Sequence, residues 1–210
     1  MKYHKVITVT IVTILYFFVP FTNADPAQQL TALLKPLTSL DGRFQQTLTD
    51  DEGDVLQVSS GVFSLKRPGL FRWQTLEPFP QLLVSNQQTI WLYDEDLEQV
   101  IVRPYTEAVN NTPALLLTGD IGQLSTYYQI ARQSDDDTFI LSSKNGDSES
   151  ELFTRIALTF ENRQLSKMVL TDSLGQLSIF RFTDLTINPV LAENLFSFEP
   201  PPGVDVIVDD

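Results

Sequence analysis

The chain has 210 residues, a formal net charge of -13, no cysteine and one histidine. That inventory excludes Cys-His catalysis, and because His4 lies at the N-terminus it leaves the rest of the chain without a Ser-His-Asp arrangement or the usual zinc ligands. An acidic chain also repels nucleic-acid backbones and anionic lipid surfaces, while the length suits one domain with its own core.

The N-terminus reads as an address. Lys2 and Lys5 precede an apolar run over residues 6–19, and Thr22-Asn23-Ala24 supplies small residues at a cleavage position. This predicts a secretory signal peptide, residues 1–24, cut after Ala24. The apolar run is short for a membrane span, and Pro20 follows it. Cleavage removes two lysines and no acid, so the charge moves from -13 to -15. The mature chain, residues 25–210, then has neither His nor Cys, is expected to be soluble and metal-free, and cannot be acylated on an N-terminal cysteine.

Asp25 is placed to cap a helix, Pro26 fits its first position, and Gln28 stands where a capping-box partner belongs. Leu30, Leu33, Leu34 and Leu37 form one apolar stripe, which spacing alone reads as core packing, and Pro36 ends or kinks the helix. Strands are then expected over residues 43–49, 55–66, 70–76, 81–86, 89–93 and 99–103, split by tight turns that favour antiparallel hairpins. The segment from Thr112 to Gly119 has a cap, a proline at its first turn and a closing glycine, and predicts a helix; residues 120–128 predict a second short one. Strands resume over 128–133 and 138–143, around the alternating Ile156, Leu158 and Phe160, and over 165–172 and 177–185, with a last short strand at Phe196-Ser197-Phe198. There is no repeat or linker. The expected architecture is one strongly bent antiparallel sheet whose few helices bury their leucines against one face.

Most motif-like features have plain readings. The acidic stretch Asp50-Asp51-Glu52-Gly53-Asp54 lacks the spacing of a calcium loop and reads as a hairpin tip, as does Asp135-Asp136-Asp137. Asp94, Asp96 and Glu98 are the candidates for a glycosidase that works with carboxylates alone, but they fall in a polar stretch between strands. A different signal stands out over residues 62–73. Phe63, Leu65, Arg67, Phe71 and Trp73 share one parity, so an extended chain points them to one face. That face is aromatic and carries one cation. A charge among buried aromatics is costly unless its hydrogen bonds are met, and spacing alone favours an arginine at the sheet rim that reaches water.

Residues Gly61 to Trp73 (GVFSLKRPGLFRW) resemble the signature stretch of the LolA family of periplasmic lipoprotein carriers. The resemblance continues through Gln81 to Asn86, Ile90 to Asp94, Leu97 to Val100, Asn111 to Leu117 and Phe196 to Val204, and so covers almost all of the mature chain in order. It implies a mainly β (α+β) fold, an incomplete antiparallel β-barrel with a helical lid over an apolar cavity. It also implies a carrier without enzymatic activity or cofactor, working as a monomer in the periplasm of a Gram-negative cell. Acylated lipoproteins would arrive from an inner-membrane ABC transporter and pass to the outer-membrane receptor LolB. The LolB-like receptor itself, a lipoprotein of the same fold, is disfavoured by the missing cysteine. On this resemblance Arg67 is the lid latch. The cavity is lined by Leu30, Leu33 and Leu34 of the first helix, Phe63, Leu65, Phe71 and Trp73 of the wall, and Leu115, Leu116 and Leu117 of the lid. Pro36 departs from the family's usual first helix and bears on that helix's length.

Overall fold

The computed structural model describes residues 25–105, 117, 124–133, 137–144 and 153–209. The signal-peptide reading, Leu115, Leu116 and most of the expected helix over 112–119 lie outside these residues; Leu117, inside them, is helical.

Helix α1 spans Pro26–Leu34. The Asp25 carboxylate accepts a bond from the Ala27 N–H at 3.2 Å, satisfying one of the orphan donors of the first turn. The helix stops at Leu34: Lys35 keeps helical angles (φ -56°, ψ -37°) and still donates its N–H to the Thr31 carbonyl, but Pro36 has no N–H with which to continue the ladder. Twelve strands follow: β1 (Ser39–Thr49), β2 (Val55–Lys66), β3 (Leu70–Glu77), β4 (Gln81–Asn86), β5 (Thr89–Asp94), β6 (Gln99–Pro104), β7 (Tyr128–Arg132), β8 (Thr138–Ser143), β9 (Arg155–Glu161), β10 (Gln164–Thr171), β11 (Leu177–Ile187) and β12 (Asp205–Val208). A one-turn helix, α2 (Leu124–Tyr127), leads into β7.

The strands form one sheet in the order β12-β6-β5-β4-β3-β2-β1-β11-β10-β9-β8-β7. Neighbours are antiparallel except β12, which runs parallel to β6. The order has two ends, β12 and β7, so the sheet is open. The expected strand at Phe196-Ser197-Phe198 is absent. Glu193–Phe196 is a short 3-10 helix, and the last strand is Asp205–Val208. Alternation over three residues is too brief to separate a strand from a turn that drops one aromatic into a core. The prolines at 200–202 also lack the N–H groups a ladder needs.

Alternation divides the buried residues between the faces. From β1 to β3 and across β8 to β11, inward residues feed one cluster that includes Phe44, Phe63, Leu65, Phe71, Phe139, Leu158, Met168, Phe180 and Phe182. A sheet that delivers side chains to one cluster from so many strands curls around it. Leu30 and Leu34 of α1, both fully buried, close that cluster from above. The opposite, convex face has a smaller core: Leu82, Val84 and Val100 are buried on the outward parity of β4 and β6, together with Phe196. Phe198 lies beside Tyr93 and Trp91, with ring centroids 5.7 and 6.5 Å apart.

Candidate functional site

The concave face is most aromatic where β1, β2 and β3 meet. Phe63 stands opposite Trp73 in the ladder, and their rings stack at 5.2 Å with 20° between planes. Phe44, opposite Gly61, reaches across β2 to stack on Trp73 at 4.4 Å and 29°. Gly61 makes this possible: a Cβ there would sit 2.7 Å from the Phe44 ring and 2.0 Å from the Gln74 carbonyl oxygen. Phe180 and Phe182 of β11 meet this stack edge-on, at 5.6 Å from Trp73 and 5.5 Å from Phe63, an arrangement that suits the ring quadrupoles.

Arg67 leaves the end of β2 into this environment. Its Nη1 donates to the carbonyls of Leu34 (2.6 Å) and Leu37 (2.7 Å); its Nε and Nη2 both donate to the carbonyl of Leu117 (2.9 and 2.7 Å). Leu34 and Leu37 lie at the C-terminal end of α1 and just past it. There the helix presents carbonyls with no partner four residues on; besides Arg67, that of Leu34 accepts from the Leu37 N–H at 3.0 Å. The negative end of the helix dipole lies here too, so a cation is favoured. One guanidinium therefore joins the exit of α1 to a helical residue far along the chain. Burial lowers its pKa to about 10, which leaves it charged at neutral pH. The rim arginine favoured by spacing is not what the fold holds: protein carbonyls rather than water satisfy these donors.

The connection from α1 to β1 has a second fastening. Asn188 Oδ1 accepts from the Thr38 N–H (2.8 Å), the Thr38 hydroxyl (3.0 Å) and the Ser39 N–H (3.3 Å), and its Nδ2 donates to the Pro36 carbonyl (3.0 Å). Its φ of 55° is a left-handed value that asparagine tolerates better than most residues. Nothing near position 188 in the sequence signals this role.

Among the described residues, Leu30, Leu34, Phe63, Leu65, Phe71 and Leu117 are buried in the concave cluster, and Leu33 and Trp73 pack against it half-buried. Most of them fill the interior with the cover closed. Leu37, Leu65, Arg67 and Leu117 border only a small space of about 10 Å³. The larger cavity, about 250 Å³, lies beyond Trp73. Its apolar wall is Trp73, Leu83, Leu92, Phe153, Leu170 and Phe180; Gln46, Thr75, Gln81 and Ser178 complete it. Of the residues expected to line the cavity, Trp73 alone among those described does so. The others found here come from β1, β3, β4, β5, β10 and β11, with Phe153 from the segment just before β9, and the alternation of the strands was the available signal for Leu83, Leu92 and Phe180. An open cleft of about 580 Å³ adjoins it and shares Gln46, Thr75 and Gln81.

Asp94, Asp96 and Glu98 sit at the edge of this region. Asp94 accepts from the Leu97 N–H at 3.0 Å and from Gln81 Nε2 at 2.8 Å, the first of these a turn-capping bond. Among the described residues no three His, Cys, Asp or Glu side chains gather as a metal-binding group, and no helix is long and apolar enough to cross a membrane.

The fold and the site together define a class: an open β-sheet curled around an aromatic interior, under a helical cover that the half-buried guanidinium of Arg67 fastens. Comparison with known proteins narrows it. The family model described as outer membrane lipoprotein carrier protein LolA matches residues 35–199. A protein of Hahella chejuensis named outer-membrane lipoprotein carrier protein is 41% identical over 189 residues, covering 88% of this chain and 89% of that one. A protein of the same name from Pseudomonas aeruginosa is 41% identical over 187 residues, covering 88% of each chain. This chain belongs to the LolA family. Among solved structures, an uncharacterized conserved protein from Thermus thermophilus aligns with a TM-score of 0.54 at 13% identity, covering 88% of this chain and 100% of that one. A LolA superfamily protein from Nitrosomonas europaea aligns at 0.52 and 13% identity, covering 83% and 99%. These two likenesses concern the fold alone.

Proposed function

We propose that this protein is a periplasmic carrier that holds the acyl chains of lipoproteins released from the inner membrane and delivers them to an outer-membrane receptor. Its family and the names of its relatives support the cargo class. In this reading residues 1–24 are a signal peptide removed on export. The mature chain works as a monomer without cofactor, loads from an inner-membrane ABC transporter and unloads to LolB. It is a carrier and not a hydrolase, and the capping bond to Asp94 gives that carboxylate a structural task.

The physical need is plain. Each methylene taken from water into an apolar site is worth about 0.8 kcal/mol, so acyl chains do not cross an aqueous space unaided. A cavity of about 250 Å³ is below the size of a pocket for a drug-sized ligand, so a long lipid anchor requires the cover to move. The observation that carries the proposal is the Arg67 guanidinium, bonded to three carbonyls of that cover. Those bonds exist only when the cover is closed. Closure therefore competes with cargo, and the competition keeps binding weak enough for release.

Arg67→Leu tests this. The substitution deletes the closing bonds and adds apolar surface. Losing one net charged hydrogen bond, roughly 1.5–3 kcal/mol, shifts the balance toward the loaded form about tenfold or more. The variant recovered from the periplasm should carry more lipoprotein than wild type and release less of it to receptor. Equal loading and equal release would reduce Arg67 to a structural residue.

A further inference from the structure

The cavity changes chemistry along its length. Its wall is apolar at depth. At its mouth stand neutral amides and hydroxyls, of which Gln46, Thr75 and Gln81 also line the outer cleft. That cleft adds the carboxylates of Asp94 and Asp96. Among the described residues no lysine or arginine lines either space. None can be contributed by segments 106–116, 118–123, 134–136 or 145–152, which contain neither residue. Arg43, Arg72 and Arg181 take the outward parity of their strands, and Arg67 is bonded to the cover at the small space beyond Leu65. Asp94 is held in place by Gln81 and by the Leu97 N–H, and neither it nor Asp96 pairs with a cation among the described residues.

We propose that this mouth selects the linkage by which acyl chains are carried: it accepts neutral ester- or amide-linked chains and rejects chains attached to a phosphate. The inference rests on the carrier reading and deepens it. An acyl ester or amide brings neutral acceptors to the zone where side-chain N–H and O–H donors stand. A glycerophospholipid with the same chains has to place a phosphate in that zone, where it meets the held carboxylate of Asp94, the exposed one of Asp96 and no cation among the described residues. Asp94 is half-buried and Asp96 is exposed, so this repulsion acts across an open cleft and is weakened by salt. A carrier that works beside membranes, where phospholipid far outnumbers its cargo, stays free of phospholipid by this device.

The test is displacement of an uncharged naphthylamine probe from the purified mature chain by soluble short-chain lipids. Dioctanoylglycerol and dioctanoylphosphatidylglycerol have the same chains and differ in the phosphate. Because the first is also the more apolar, the variants decide. The ratio of their displacing concentrations should fall by roughly tenfold in the Asp94→Asn, Asp96→Asn double variant. It should fall further in Asp96→Lys, whose exposed site tolerates the change. Salt should narrow the wild-type ratio and leave that of the double variant nearly flat. A ratio unchanged by these substitutions, or insensitive to salt in wild type, would overturn the selection. If neither lipid displaces the probe from any form, the carrier reading fails and this inference goes with it.

Discussion

The concave and convex faces of the sheet are both covered, and the two covers are fastened differently. Over the concave face, α1 and the helical residue Leu117 are joined through one half-buried guanidinium, and unfilled space lies beside Trp73. Over the convex face, the C-terminal segment sets Phe196, 1% exposed, against a sheet surface that holds Leu82 and Val84, and adds β12 to the edge. Apolar closure is lost only by exposing surface to water, which costs in proportion to area. Hydrogen bonds from a cation to carbonyls can instead be exchanged for bonds to water, so each is worth only roughly 1.5–3 kcal/mol net. Both covers bury apolar side chains, Leu30 and Leu34 on the concave side, so the difference between them lies in the guanidinium bonds and in the free space beside Trp73.

Substitutions on the two faces should separate these roles. The largest effect belongs to the convex side: Phe196→Ala should destabilise the fold by about 3–5 kcal/mol in urea unfolding. The folded fraction should still bind a hydrophobic probe as wild type does. Loss of probe binding by folded Phe196→Ala would mean that the two faces are coupled. Asn188→Ala should cost less, roughly 1–2 kcal/mol, because its bonds are exposed and alanine disfavours a left-handed φ. It should also loosen the exit of α1 and raise probe uptake by the empty protein; a thermal melt and a probe titration on one sample check both.

The smallest effect concerns pH. Burial lowers the folded pKa of Arg67 to about 10, below that of the unfolded chain, so the unfolded chain holds that proton more tightly. Its contribution to stability therefore rises with pH only above about 10 and is flat below that. The chain after residue 24 also has no histidine. Probe uptake by the empty protein should accordingly be the same from about pH 6 to pH 8, where histidine would titrate. A clear change across that window would assign the closing of the cover to some group other than Arg67.

Local pattern carried much of this protein. Asp25, Pro26 and Pro36 bound the first helix, because capping and the proline ring act within a few residues. Alternation placed β2 almost to the residue, and it set Phe63, Leu65, Phe71 and Trp73 on one face, as the ladder between β2 and β3 bears out. Resemblance over most of the chain reached the family. At the C-terminal end the pattern failed: three alternating residues looked like a strand, and the parallel strand at Asp205–Val208 had no hairpin to announce it.

What the sequence determined is the first helix, the run of strands from β1 to β11 and the side of each that is apolar, since these depend on periods of two or about four residues. What the tertiary structure decided is which of those apolar residues stay packed and which border empty space. It also decided where the charge on Arg67 goes. Its partners are 33, 30 and 50 residues away, at Leu34, Leu37 and Leu117, and all are backbone carbonyls, a group every residue possesses. No side-chain pattern can encode such a partner; only the curl of the sheet, which brings the end of α1 over the end of β2, makes those carbonyls the ones that Arg67 meets.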